Sequence, residues 1–285
     1  MNGETKVFHA DAVDVDAPVV RFALRIAQDR GSGVFVGLFH GAGSLDADRP
    51  WRKNDLSGLL AELNELICRA VQKLTVNEIY QSVQGESTWA GLPCVFIRLT
   101  FCDLRCTYCD TEYAFYEGQK MPLDEIVEKV RGFDCPLVEV TGGEPLLQPN
   151  CVPLLALLCE AGFTVLLETS GAHDIAPVDP RVHRIMDLKT PSSGECGRNL
   201  YANISHLTQR DEVKFVIGSR EDYEWARGKV AEYHLSEKVS AVLLSPIFGK
   251  IAPADIVAWM LEDKLPARFQ LQMHKFIWEP RARGV

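Results

Sequence analysis

The sequence predicts an α/β fold whose parallel sheet is wound as an incomplete barrel or as an open doubly wound sheet. Two observations carry this. From Thr75 onward, short apolar and β-branched runs alternate with runs of helical period. Roughly six such units fit in the chain that follows, as either architecture requires. In both architectures the functional side chains gather at the C-terminal ends of the strands. Residues 1–75 lack this pattern and read as a separate N-terminal extension, leaving 76–285 as the main domain.

In the extension, 19–27 and 33–39 are apolar stretches suited to short strands or helical turns, and the glycines at 31–33 and 41–44 mark loops. Leu56, Leu59, Leu60, Leu63, Leu66, Ile67 and Val71 recur at steps of three and four, which predicts an amphipathic helix over 55–71. No chemistry is visible there. A natural start near 74–76 is one expectation for this segment. After it, strands are expected over 94–100, 137–141, 164–169, 184–188, 212–217, 239–245 and 269–273. Helices are expected over 123–132, 152–161, 220–233 and 253–261, the third with Asp222 and Glu224 near its start and the last opening on Pro253.

Composition narrows the function. The chain has 285 residues, 47% hydrophobic and 24% charged, which is ordinary for a globular protein. Its formal net charge of -9 argues against a general phosphate-neutralising surface, so no nucleic-acid partner is expected. No apolar run approaches the roughly 18–20 residues of a membrane helix. The acidic start, with Asp11, Asp14 and Asp16, is unlike a secretory signal, so a cytoplasmic protein is expected. Nine cysteines, an odd number, favour reduced thiols and ligation over a disulfide framework.

Three of these cysteines dominate the reading. Cys102, Cys106 and Cys109 are spaced C-x3-C-x2-C directly after the 94–100 strand. Three thiolates in eight residues can each hold a different iron of one 4Fe-4S cube, leaving the fourth iron open for catalysis. A structural zinc site needs a fourth Cys or His, and none stands at close spacing. Further on, 137–145 (LVEVTGGEP) is a strand ending in two glycines and an acid. The glycines permit close backbone approach to a ligand, and Glu144 is suited to accept from an ammonium group.

The triplet, with Tyr108 before its last cysteine, and the G-G-E run resemble the radical S-adenosylmethionine superfamily. Further runs resemble one of its families, 7-carboxy-7-deazaguanine synthase of the queuosine-precursor pathway. These are the opening strand and Q-G-E turn at 77–87 (NEIYQSVQGES), the strand Arg98, the C-D-T run at 109–111, the strand end 186–194 (MDLKTPSSG), the E-T-S-G run at 168–171, the L-S-P run at 244–246 and the H-K pair at 274–275 in a closing strand and tail. Many members carry Ser-Pro-Lys where this chain has Asp187, Leu188 and Lys189. The resemblance covers about 76–280, and 1–75 match nothing in the family.

What the resemblance implies is specific. The fold is the incomplete (β/α)6-type barrel of the superfamily. Cys102, Cys106 and Cys109 hold one 4Fe-4S cluster per chain. S-adenosyl-L-methionine lies against Tyr108, Cys109, Asp110, Gly143, Asp187, Leu188, Lys189 and Ser245, and one electron cleaves it to a 5′-deoxyadenosyl radical. Mg2+ is held by Thr111. The pterin substrate meets Val83, Gln84, Gly85, Glu86, Arg98, Thr141 and Pro280. A Gln amide and a Glu carboxylate suit a pterin's donor–acceptor edge, and a strand Arg amid apolar neighbours needs an anionic partner, either the substrate carboxylate or an internal salt bridge. No catalytic residue beyond these ligands is assigned. The reaction implied converts 6-carboxy-5,6,7,8-tetrahydropterin to 7-carboxy-7-deazaguanine with loss of ammonia. A flavodoxin or ferredoxin supplies the electron, and a homodimer is expected. Two alternatives share the triplet: a radical activase acting on a partner protein, and a zinc-bound interaction module.

Overall fold

The computed structural model describes residues 72–285 and, before them, the four strands 7–9, 24–28, 34–40 and 43–44. The chain divides into two compact units, Met1–Cys68 and Arg69–Val285. In the first, β1 (Val7–His9), β2 (Leu24–Gln28), β3 (Val34–His40) and β4 (Gly43–Ser44) pair in that order, all antiparallel. Within the two apolar stretches, the described residues 24–27 and 34–39 are strand rather than helical turn. The helix expected over 55–71 lies outside the described residues.

The second unit is built on nine strands: β5 (Lys73–Val83), β6 (Pro93–Leu99), β7 (Gln119–Pro122), β8 (Leu137–Gly142), β9 (Thr164–Thr169), β10 (His183–Asp187), β11 (Glu212–Ile217), β12 (Ala241–Pro246) and β13 (Arg268–Phe269). From β6 they lie in the order β6-β8-β9-β10-β11-β12-β13, every neighbouring pair parallel. A sheet wound once in sequence order has no reversal point, so the doubly wound alternative is excluded and the partial barrel stands. β5 adds antiparallel to β6, with a bulge between Val76 and Glu78, and β7 closes that edge antiparallel to β5. β7 and β13 remain at opposite edges, so the barrel is open.

Four crossovers carry the helices expected from the sequence: α1 (Leu123–Arg131), α2 (Cys151–Glu160), α3 (Arg220–Glu232) with the short α4 (Leu235–Lys238), and α5 (Pro253–Asp263). Ser219 caps α3, its hydroxyl accepting from Asp222 N at 3.2 Å. The buried Asp222 carboxylate accepts from Gly218 N and Ser192 N, both at 2.8 Å, and so joins α3 to the neighbouring loop.

Side chains alternate across the strands. Val138 and Val140 of β8 are fully buried in the main hydrophobic core. Glu139 and Thr141 face the barrel interior, as do Phe96 and Arg98, Ile185 and Asp187, and Lys214 and Val216.

The strand expected over 269–273 is corrected. Only Arg268–Phe269 pairs as strand, and α6 (His274–Ile277) is a helical turn. Gln270 N still bonds Leu244 O at 3.0 Å, but Met273 N donates to Gly85 O at 2.9 Å. That bond draws the chain away from β12 and across to the turn after β5.

Candidate active site

The loop after β6 carries the three cysteines and is braced from several sides. Phe101 N donates to Ala114 O at 2.8 Å, and Thr107 N donates to Ser193 O at 3.0 Å. Arg105 N donates to Glu195 Oε1 at 2.6 Å. Asp103 pairs with Arg198 at 2.5 Å and with His173 at 3.1 Å, and Leu104 is buried beneath the loop. Cys102, Cys106 and Cys109 are free and half-buried. Burial pushes all three thiols up, Cys106 to about 11. Ligation by a cationic centre reverses that, since a coordinating thiol is deprotonated.

The loop after β8 closes against this one because it has no side chains at two positions. A Cβ on Gly143 would collide with the Phe101 carbonyl oxygen and sit 2.9 Å from Cys102 Cβ. A Cβ on Gly142, whose φ is +148°, would collide with Leu99 O. The donor set of three reduced thiols and this close glycine cradle fit an iron–sulfur cluster held by three sulfurs. Among the described residues, no group of three or more His, Cys, Asp or Glu is arranged to hold a single metal ion.

Glu144 is corrected as a ligand-binding residue. It is fully buried, and its carboxylate accepts from Thr169 Oγ1, Ser170 N, Ser170 Oγ and Leu146 N at 2.5–3.0 Å. It pins the loop after β9 to the loop after β8 and leaves no capacity for an incoming ammonium group.

These loops open on a cavity of about 650 Å³. Of the residues expected to contact the cofactor, Tyr108, Cys109, Asp110, Gly143, Asp187 and Lys189 line it. Leu188 and Ser245 do not: Leu188 is buried, and Ser245 is buried with its hydroxyl accepting from Gln270 Nε2 at 2.8 Å. Lys189 Nζ lies 2.7 Å from Asp187 Oδ2, while Asp187 Oδ1 is buried without a hydrogen-bond partner. Thr111 Oγ1 donates to Asp110 Oδ1 at 3.0 Å.

Every residue expected to meet the substrate lines the same cavity: Val83, Gln84, Gly85, Glu86, Arg98, Thr141 and Pro280. The chain packs tightly at Gly85, where a Cβ would lie 2.6 Å from His274 Nδ1. Arg98 forms the internal salt bridge, to Glu78 at 2.7 Å, and donates to Tyr80 Oη at 2.9 Å. Three charged residues on the strands β8, β9 and β11 also line the wall without having been assigned contacts from the sequence: Glu139, Glu168 and Lys214. Lys214 pairs with Glu86 at 3.0 Å and with Glu168, and Glu139 accepts from Gln84 Nε2. Their signal was present, because a lone charge within a buried apolar strand requires a partner.

With that geometry in place, the comparisons are specific. A family model described as the radical SAM superfamily matches residues 96–226. A 7-carboxy-7-deazaguanine synthase from Chlorobaculum tepidum is 48% identical over 215 residues, covering 74% of this chain and 97% of that one. One from Koribacter versatilis is 47% identical over 227 residues, covering 74% and 100%. The chain belongs to the 7-carboxy-7-deazaguanine synthase family. It is therefore a radical SAM enzyme, and its cofactors are a 4Fe-4S cluster and S-adenosylmethionine. About a quarter of the chain has no counterpart in these two relatives. The fold agrees: the crystal structure of QueE from Escherichia coli superposes with a TM-score of 0.62 at 24% identity, covering 73% of this chain and 98% of that one. Among the described residues, no helix is long and apolar enough to cross a membrane.

Proposed function

We propose that this chain converts 6-carboxy-5,6,7,8-tetrahydropterin to 7-carboxy-7-deazaguanine with loss of ammonia, in queuosine-precursor biosynthesis. One observation supports this above the others. A single cavity is lined both by the three-cysteine loop and by the polar turn Gln84, Gly85 and Glu86, so cofactor and heterocycle share one chamber. When bound, the cluster and S-adenosylmethionine supply hydrogen-atom abstraction from an unactivated carbon.

The chain's own residues bind and orient. Cys102, Cys106 and Cys109 hold the cluster. Tyr108, Asp110, Gly143, Asp187 and Lys189 receive S-adenosylmethionine from the cavity wall. Thr111 binds Mg2+, whose preference for oxygen ligands suits a hydroxyl beside Asp110. Gln84, Glu86 and Thr141 hold the ring, and Pro280 belongs to the tail along the cavity. Arg98, balanced by Glu78, contributes a positive edge for the substrate carboxylate.

A flavodoxin or ferredoxin as electron donor, a homodimeric state and residence in the cytoplasm complete this reading. The reduced thiols fit a reducing compartment. The test is anaerobic incubation of the reconstituted enzyme with S-adenosylmethionine, reductant, Mg2+ and the carboxypterin. A product with the mass of 7-carboxy-7-deazaguanine is expected. No turnover with an intact, reducible cluster rejects the proposal.

A further inference from the structure

Glu139 is a buried carboxyl whose hydrogen-bonding capacity is only half used. It sits in the middle of β8, 4% exposed, on the wall of the cavity. Its Oε2 accepts from Gln84 Nε2. Its Oε1 takes no hydrogen bond from any described residue, and it is not shut away from the cavity as the orphaned Asp187 oxygen is. Lys214, the nearby cation, is already engaged by Glu86 and Glu168. The strand places this carboxyl between two buried valines, Val138 and Val140, and turns its free oxygen toward the cavity, where a ligand can reach it.

We propose that Glu139 is a recognition residue for the substrate's heterocycle, its open Oε1 forming a hydrogen bond with a ring-nitrogen or carbonyl acceptor. This rests on the reading of the cavity as the site of a pterin. The direction of the bond follows from the surroundings. Burial raises the Glu139 carboxyl well above the usual range, and Glu168 and Glu86 add to this against the opposing pull of Lys214 and Gln84. That direction favours the protonated carboxyl over the carboxylate. Because Oε2 accepts from the Gln84 amide, Oε1 is the oxygen left to carry a proton and donate. A neutral acid also introduces no further charge into a chamber where two carboxylates already share one lysine.

The test is equilibrium binding of 6-carboxy-5,6,7,8-tetrahydropterin to holoenzyme carrying S-adenosylmethionine, without reductant so that no turnover occurs. It compares the native chain with Glu139→Gln and Glu139→Val. Gln keeps a donor of the same reach, and Val is the residue on either side in the strand. The Kd is expected to rise about three- to tenfold for Gln and about thirtyfold or more for Val, the loss of a buried hydrogen bond with its partner left unmatched. S-adenosylmethionine affinity is expected to stay within about twofold, which separates a recognition role from general damage. Native-like pterin binding by Val overturns the proposal, and so does an equal loss in both variants. If the Val chain does not fold, Gln decides alone, and a change outside its stated range overturns the proposal. Failure of the native chain to bind the pterin overturns the reading of the cavity as a pterin site instead, before any variant is compared.

Discussion

Lys275 Nζ lies 2.6 Å from Asp110 Oδ2, across 165 residues of chain, and ties α6 to the residue that follows the last cysteine. Burial raises the Asp110 carboxyl, but Lys275 outweighs it and holds the group down at about 2. The aspartate is half-exposed, so solvent screens the pair and its worth to global stability is below about 1 kcal/mol. Its effect is local. Lys275→Met is expected to leave Tm within about 4 °C of native while lowering the iron retained after anaerobic desalting. Native iron retention in this variant would contradict the clamp.

Gly143→Ala tests the cradle. The added methyl meets backbone at Phe101 and the Cys102 side chain, neither of which is a flexible tip. The cysteine loop must shift, so the variant is expected to fold with native far-ultraviolet dichroism and to reconstitute little or no cluster colour. A fully coloured, active Ala variant would show that the two loops do not need this contact.

Cys106→Ala removes one of the three sulfurs. Colour and turnover are both expected to vanish, with a Tm close to native because the thiol is only partly buried. Retained turnover would contradict its assignment as a ligand.

Arg184 and Asp211 provide a structural contrast outside the cavity wall. The guanidinium donates from Nε to Asp211 Oδ1 at 2.9 Å and pairs with Oδ2 at 2.7 Å, and the two side chains are 7% and 0% exposed. Arg184→Met leaves the aspartate buried without its cation, which costs about 3–5 kcal/mol. Denaturant titration is expected to show that loss, while the KM for the pterin stays native at a temperature where the variant is folded. A loss below about 1 kcal/mol would mean that Asp211 finds other partners.

Glu139 also sets a slope of stability with pH. Its folded value is raised, so the native chain keeps a proton that the unfolded chain releases above about pH 4.3. The folded state binds more protons, and this contribution falls as pH rises toward the folded value. Glu139→Gln removes the slope. The variant is therefore expected to gain on the native chain in urea midpoint as pH rises above about 5, with an unchanged m-value. A difference that is flat across that range would show the carboxyl to be ionised in the fold.

Much of this was legible beforehand because it is local. The helices expected over 152–161 and 220–233 agree with α2 and α3 to within a residue at each end, because apolar period and caps act within a few turns. The closing strand over 269–273 failed for the opposite reason. Its alternating pattern suited a strand, but one long-range bond from Met273 to Gly85 redirected the chain. Glu144 failed similarly, since nothing near it in sequence reveals that Thr169 and Ser170 take up its oxygens.

The sequence by itself determined the chemistry of the cysteine loop, because C-x3-C-x2-C confines three sulfurs to one short covalent reach. It also determined the sequential order of strands and helices, because each period is set over neighbouring residues. Only the tertiary structure decided how the interior charges pair. Glu139 meets Gln84, Lys214 meets both Glu86 and Glu168, and Arg98 meets Glu78. Those pairings depend on the register of strands far apart in the chain, and a shift of one residue would turn each of these side chains to the opposite face.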